Sequence, residues 1–447
     1  MALAAAIVAF VGQDIDVQLA TNAPTVSYQA SGLPAGVTLG AKTGKLTGRP
    51  TQSNEYYDVS VTMHGLRTVT SDLLSIRVAP DPPVPDLRGS IYIDASRVIF
   101  DPARHRAYAS DMEGSQIAVI DTGNLALVKI IPVDNHPTGM ALSLDAKKLF
   151  IAGYQFGSIP SDIAVIDLDA LTTLSSLPTP GSTFDVAIGS DDRLFASSTQ
   201  WGITVLDSET GKPLASYSDE YQGRLIMSSD LQKMYVGSVG ASPSSLFATN
   251  VSGDLLTIVQ ETPFNLFTGA VEDFKLSHDE TFLLVPGNTN GRTVRVRTSD
   301  ISKAVVSYTI PGLNLTGLGP TTGRAAAISP DDQAVFVSAH YFPKPDEDSF
   351  SAKVDVFNAS TGRYLRAIST GNFVPSAMDV DPSGRFLFVP SSITEDGIDG
   401  GQLRIYDTGI ASPVHPPKPQ SLLNVSTRLR SEGRRQRTHW RLYHRRH

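Results

Sequence analysis

Ala118-Val119-Ile120-Asp121, followed by a glycine at 123, decides the fold because the chain keeps returning to it. It recurs as Ala164-Val165-Ile166-Asp167, as Thr204-Val205-Leu206-Asp207 with Gly211, and as Phe247-Ala248-Thr249-Asn250 with Gly253. A weaker copy, Val294-Arg295-Val296-Arg297, precedes Ser299-Asp300. Val354-Asp355-Val356-Phe357-Asn358 with Gly362 and Leu403-Arg404-Ile405-Tyr406-Asp407 with Gly409 complete the series. Each is an apolar strand ending in Asp or Asn, whose side chain bonds nearby amides and closes a turn. A second mark precedes each: Asp101-Pro102, Leu144-Asp145, Ser190-Asp191, Ser229-Asp230, Ser277-His278-Asp279, Ser329-Pro330-Asp331 and Asp381-Pro382-Ser383. The 322 residues from Arg88 to Gly409 hold seven copies, or 46 residues per copy. Four short strands per copy at that period predict a seven-bladed β-propeller over 88–410. The last copy lacks a fourth strand, and an unassigned strand lies at 90–94. Pairing the two would close the ring and remove an exposed edge.

The pattern of an Asp turn, an apolar strand and then Ile-Asp-Thr-Gly, as at 120–123, resembles the YVTN-type, lactonase-like seven-bladed propellers. That family includes surface-layer proteins, lactonases and quinoprotein-associated subunits, so the resemblance implies a fold more than an activity. Only two tryptophans, Trp201 and Trp440, argue against WD repeats.

Upstream, 1–78 reads as short strands broken by Leu33-Pro34-Ala35-Gly36, Thr43-Gly44 and Gly48-Arg49-Pro50, which predicts a small β-sandwich. Val17-Gln18-Leu19, Val26-Ser27-Tyr28, Val37-Thr38-Leu39 and 58–62 are its strand-like pieces. The run Ser31-Gly32-Leu33-Pro34-Ala35-Gly36-Val37-Thr38-Leu39, then 43–51 and 57–62, resembles the putative-Ig, cadherin-like family. That resemblance implies a spacer or adhesion module on secreted, cell-surface or virion-surface proteins. The segment 20–25 has no carboxylate, which puts calcium binding by this module in doubt. The overall class is therefore all-β: an Ig-like sandwich, a proline-rich linker at 79–87, then the propeller.

Composition bounds the chemistry. The 447 residues include no cysteine, which excludes disulfides, thiolate metal sites and thiol nucleophiles. The net charge of −8 is unevenly spread. The stretch 411–447 has nine basic residues and one acid, leaving 28 basic and 44 acidic in the rest, a net of −16. The body is thus unsuited to nucleic acid, and 411–447 reads as a disordered basic tail. The apolar run 2–12 is too short to span a bilayer and has no basic residue before it, so it reads as a first strand rather than a signal peptide. No membrane span is expected.

In a propeller the b–c and d–a connections share one face. Long b–c segments at 153–162, 237–245, 338–352 and 390–402 make that the binding face. It would present His136, Tyr154, Phe156, Trp201, Tyr221, Phe264, Phe267, His340, Tyr341 and Phe342, which suit a glycan or protein ligand. Several could equally cap blade tops. Polar residues on the innermost strands, Arg97, Asp185, Arg224, Asp273 and Arg324, would line the channel mouth, as a substrate pocket or as ion pairs filling it. No cofactor is expected. Calcium is the one ion the acidic loops suggest, at Asp346, Asp348, Asp396 and Asp399, although the spacing fits no EF-hand and a solvated loop explains it as well. Of the five histidines before the tail, only His136 and His340 fall on the loop face, neither beside a serine motif. The reading is an extracellular or surface binding and adhesion protein without catalysis. A lactonase-like hydrolase with a channel-mouth metal and a virion or surface-layer subunit are the alternatives.

Overall fold

The computed structural model describes residues 6–11, 15–19, 25–52, 54–65, 69–79, 84–154, 161–198, 202–217, 223–238, 245–263, 266, 273–286, 292–310, 320–341, 351–371, 373, 375–391 and 401–410. Every regular element among them is a strand. The tail 411–447 lies outside the described residues.

The repeated marks act through their side chains. Asp121 Oδ1 accepts the N–H groups of Gly123 and Asn124 at 2.8 and 3.0 Å. Asp167 and Asp207 do the same for the residues two and three further on. Each such turn joins a third strand to a fourth. The left-handed residue in the first copy is Leu125 (φ 59°), not the glycine at 123; Leu171 (φ 54°) takes that place in the second copy, Gly211 (φ 70°) in the third. At the second mark, in blades 2, 4, 5 and 6, the working residues are a serine and the aspartate two positions on. Ser143, Ser228, Ser277 and Ser329 donate to Asp145, Asp230, Asp279 and Asp331 at 2.6–2.7 Å. The same hydroxyls accept the N–H five residues later at 2.9–3.0 Å. These turns join first strands to second strands.

The turns generate seven antiparallel blades. Blade 1 is Ala95–Asp101, Arg106–Asp111, Gln116–Asp121 and Leu127–Pro132. Blades 2 to 6 follow, with innermost strands beginning at His136, Asp185, Gly223, Lys275 and Pro320. Blade 2 departs in one respect: its outer strand is split into Thr172–Thr173 and Leu177–Pro178. Blade 7 is Asp379–Val380, Phe386–Ser391 and Gln402–Asp407, completed by Leu87–Tyr92. The closing strand thus starts three residues earlier than 90, paired from Tyr92↔Gln402 to Leu87↔Tyr406.

Alternating strand residues fill the spaces between blades. Val354, Val356 and Ile368 of blade 6 meet Leu387, Val389 and Tyr406 of blade 7. Phe100 stands edge-on to Phe388 across the junction of blades 7 and 1, centroids 5.1 Å apart. Polar staples tie the turns of successive blades: Arg104 to Asp169 at 2.5 Å, Lys148 to Glu209 at 2.7 Å, and Arg193 to Asp254 at 2.7 Å. The Ser229 N–H then donates to Glu280, the His278 and Asp279 N–H groups donate to Asp332, and Arg366 pairs with Asp86.

The N-terminal module has two sheets. One contains Ala6–Phe10, Val69–Ala79, Asn54–Gly65 and Thr25–Ser31; the other contains Ile15–Gln18, Lys45–Gly48 and Val37–Leu39. The strand Lys45–Gly48 occupies a stretch whose glycines read as turns. The proline-rich segment does not hold the module away from the ring. Val84 is buried in the cluster shared by blades 6 and 7. Ile15–Gln18 pairs in parallel with the closing strand, Val17 opposite Ser90 and Gln18 opposite Ile91, so one seven-stranded sheet runs from blade 7 into the sandwich. Tyr92, the last residue of the closing strand, is buried among the sandwich residues.

Candidate functional site

Counting back from the first-to-second-strand turns, each blade places one residue at the same height on its innermost strand. From blade 1 to blade 7 these are Arg97, Gly139, Asp185, Arg224, Asp273, Ala325 and Ala377. Arg97, Gly139 and Ala325 lie inside their strands, Asp185 and Arg224 within the first two residues of theirs, and Asp273 and Ala377 two residues before theirs. Asp273 is the hub. Its Oδ1 lies 3.0 Å from Arg224 Nε and 3.6 Å from Arg97 Nη1, and its Oδ2 lies 3.7 Å from Lys275 Nζ. Arg224 also reaches Asp185 at 3.4 Å, and Lys275 reaches Asp379 at 3.2 Å. Blades 1, 3, 4, 5 and 7 are thereby linked across the channel.

The contacts to Asp273 are close but poorly aligned. Arg224 Nε and both Asp273 oxygens are buried without a directional hydrogen bond. Coulomb attraction in a low-dielectric interior therefore does most of the holding. Asp185 is better served: it accepts the Leu225 N–H at 3.1 Å and the Val186 N–H at 3.0 Å. Burial nevertheless pushes its carboxyl up to about 6, against the pull of Arg97 and those amides. Burial also depresses the Lys275 ammonium, but Asp273 and Asp379 more than offset it and leave its pKa raised. Gly139 makes room for this arrangement, since a Cβ there would overlap the Asp185 carboxylate and come within 2.6 Å of its Cα.

Four of the expected channel residues therefore meet. Arg324 lies on the strand Pro320–Ile328, one residue before the equivalent position, which is Ala325; its side chain lies outside the described residues. Lys275 and Asp379 were missed. Each opens a two-residue strand, too short to show alternation. Two-residue periodicity forward from Asp273 and from Ala377 would have pointed to both.

The loop-face residues fare unevenly. His136 opens blade 2 opposite Tyr154, and its Nδ1 lies 2.9 Å from the Met112 carbonyl oxygen, so it ties blade 2 to blade 1. His340 and Tyr341 end the second strand of blade 6, opposite Thr321 and Pro320; their side chains lie outside the described residues. So do Phe156, Trp201, Tyr221, Phe264, Phe267 and Phe342, and the acidic-loop residues Asp346, Asp348, Asp396 and Asp399.

A divalent metal at the channel mouth does not fit this donor set. It would meet the cations Arg97, Arg224 and Lys275 in the same network as the three carboxylates. Among the described residues no three His, Cys, Asp or Glu side chains converge on a metal-sized site.

Residues 4–79 match the family described as "Putative Ig domain". A stretch of 55 residues is 34% identical to "Uncharacterized protein YncE" of Salmonella typhimurium, over 12% of this chain and 16% of that protein. The chain thus spans about a sixth of that relative's length. Among solved structures, the chain resembles the Cps50 (Swd1) β-propeller domain of Myceliophteria thermophila, with a TM-score of 0.55 and 10% identity over 72% of this chain and 99% of that one. This chain is a seven-bladed β-propeller behind an Ig-type domain. A chain titled Kuenenia stuttgartiensis hydrazine synthase matches at a TM-score of 0.54 and 11% identity, over 71% of this chain and 96% of that one. At such identities the two structures speak to the fold alone. Both resemblances read from the sequence, to YVTN-type propellers and to the Ig-type module, are met by these matches. Among the described residues no helix is long and apolar enough to cross a membrane.

Proposed function

We propose that this protein is a non-enzymatic surface or secreted binding protein whose propeller presents its loop-rich end to a glycan or a protein. The observation that carries the reading is the inequality of the two ends. At one end the turns from first to second strands are four or five residues long in every blade, and their serines and aspartates close the turns or tie one blade to the next. At the other, the second and third strands of blades 2, 4, 6 and 7 are separated by seven to ten residues: Tyr154 to Asp162, Ser238 to Leu246, Tyr341 to Ser351 and Ser391 to Gln402. Variable connections on a rigid ring are where propellers and other scaffolds carry recognition. The channel supports binding over catalysis, because its ionic groups are paired with one another rather than left facing an entering substrate. The Ig-type module favours an extracellular or surface location.

Glycan-array and pull-down screening of the full chain tests this reading. Binding that falls when Tyr154, Trp201 and Tyr341 are changed to alanine is the expected result. Binding untouched by those changes moves the site elsewhere. Turnover of a lactone by the full chain would replace the reading with a hydrolase.

A further inference from the structure

The six ionic groups at the channel mouth balance one another only while all of them are charged. Three are cations, Arg97, Arg224 and Lys275, and three are carboxylates, Asp185, Asp273 and Asp379. The cations keep their charge in ordinary solution. Guanidinium groups do not titrate there, and Lys275, which burial lowers, is raised overall by Asp273 and Asp379. Asp185 is the member that changes. Burial raises it to about 6, and the charged groups that face it come from three other blades. Arg97 of blade 1 and Arg224 of blade 4 favour its charge, and Asp273 of blade 5 opposes it. Once Asp185 takes a proton, three cations face two carboxylates. No side chain at the same height in the other blades restores the balance, since blades 2, 6 and 7 place Gly139, Ala325 and Ala377 there. A cation in so dry a place is costly without its counter-charge, and the remaining source of one is an anion from solution. Solvent already reaches the cations. The side chains of Arg97, Arg224 and Lys275 are 12, 13 and 15% exposed, whereas those of Asp185 and Asp273 are nearly covered.

We propose that the channel mouth is a pH-gated site for a ligand carboxylate, which takes over from Asp185 as the counter-charge of Arg97 and Arg224. Two arginines suit a carboxylate because each planar fork offers paired N–H donors. The wall of the site survives the loss of charge. A neutral Asp185 carboxyl can still accept the Leu225 and Val186 N–H groups, which reach it at 3.1 and 3.0 Å. In neutral solution the protein's own carboxylates fill the site, and in mildly acidic solution one of them gives way. The inference goes beyond the reading of the loop-rich end. It involves none of Tyr154, Trp201 and Tyr341, and a ligand held by the long segments would leave it unchanged.

The test is calorimetric titration of the full chain with glucuronate, N-acetylglutamate and glucose, at about pH 5 and about pH 8, in chloride-free buffer of low ionic strength. The first two tell a sugar acid from an acidic peptide group, and glucose presents the sugar without its charge. A carboxylate should bind about tenfold or more tightly at the lower pH, and glucose at neither. At about pH 6.5, titrations in two buffers of different ionisation heat should show a proton taken up on binding. That readout uses the wild type and does not depend on a variant folding. Asp185→Asn should bind at both pH values as tightly as the wild type does in acid, and Arg97→Gln should lose about tenfold in acid, with thermal unfolding of each recorded alongside. No carboxylate binding, equal binding at the two pH values, or binding without proton uptake overturns the site. The glycan array and this titration fail separately, because the aromatic variants that abolish array binding should leave the titration intact.

Discussion

The two ends of the ring solve the problem of buried and half-buried carboxylates in opposite ways. At the tight-turn end, aspartates are short-range acceptors. Backbone amides hold Asp167 low, and the Thr210 hydroxyl and amide hold Asp207 low. Lys303 and Ser302 bring Asp300 down to about 2. At Asp145 and Asp279 burial works against ionisation, but the bonds from Ser143 and from the Thr281 amide overcome it. At the channel end the balance reverses. Burial is the largest influence on Asp185, and also on Asp111 at the end of the second strand of blade 1, and both are raised. The same residue type thus stabilises the fold at one end and stores an unfavourable charge at the other. What differs is whether burial outweighs the hydrogen bonds and charges that the carboxylate receives.

The largest expected effect breaks this contrast directly. Arg224→Ala leaves Asp185 and Asp273 buried without their shared cation and should cost about 3–5 kcal/mol, read as a shift in denaturant midpoint. Lys148→Ala, which removes the ion pair to the exposed Glu209 at the tight-turn end, should cost no more than about 1 kcal/mol. Similar losses from both variants would mean that the ends do not differ.

The second effect is in pH. Between about pH 4 and 6 the folded protein binds a proton at Asp185 that the unfolded chain has released, so stability should fall as pH rises through that window, by up to about 3 kcal/mol. Denaturant titrations across pH should show this slope, and Asp185→Asn should flatten it. The tight-turn aspartates run the other way, and their contribution should be lost as pH falls below about 4. His278, raised by Asp332 in spite of burial, adds a contribution that fades as pH climbs above about 6.5.

The smallest effect concerns backbone strain in the tight turns. Ala146, Leu231, Glu280 and Asp332 share one left-handed position with φ of 54–60°, where blade 7 has Gly384 at 77°. Leu231→Gly should stabilise by up to about 1 kcal/mol, and Gly384→Ala should destabilise by a similar amount, measured as opposite shifts in thermal midpoint.

The same division governs what could be read from the sequence. The tight-turn end was legible because each Ser, Asp or Asn acts within five residues of itself, so its chemistry is written in consecutive letters. The 46-residue period followed from those turns, and the ring from the period. The channel end depends on residues tens of positions apart. Asp185 meets Arg224, and Lys275 meets Asp379, only because the ring curves. The innermost strand position could be extrapolated for four residues, while Lys275 and Asp379 hid in two-residue strands. The proline-rich stretch misled for a different reason. Proline argues against a central strand, but it does not prevent Val84 from filling a gap between blades.

The strand Leu87–Tyr92 has a consequence for the order of events in the cell. It is made early, directly after the Ig-type module, yet the partner it pairs with, Gln402–Asp407, leaves the ribosome some 310 residues later. Six blades must therefore wait as an open arc, with the closing strand held ready at one end by the sheet it already shares with Ile15–Gln18. The N-terminal module would serve during synthesis as a cradle for half of a clasp. Losing the final few strands would leave nearly the whole chain present and the ring unable to shut.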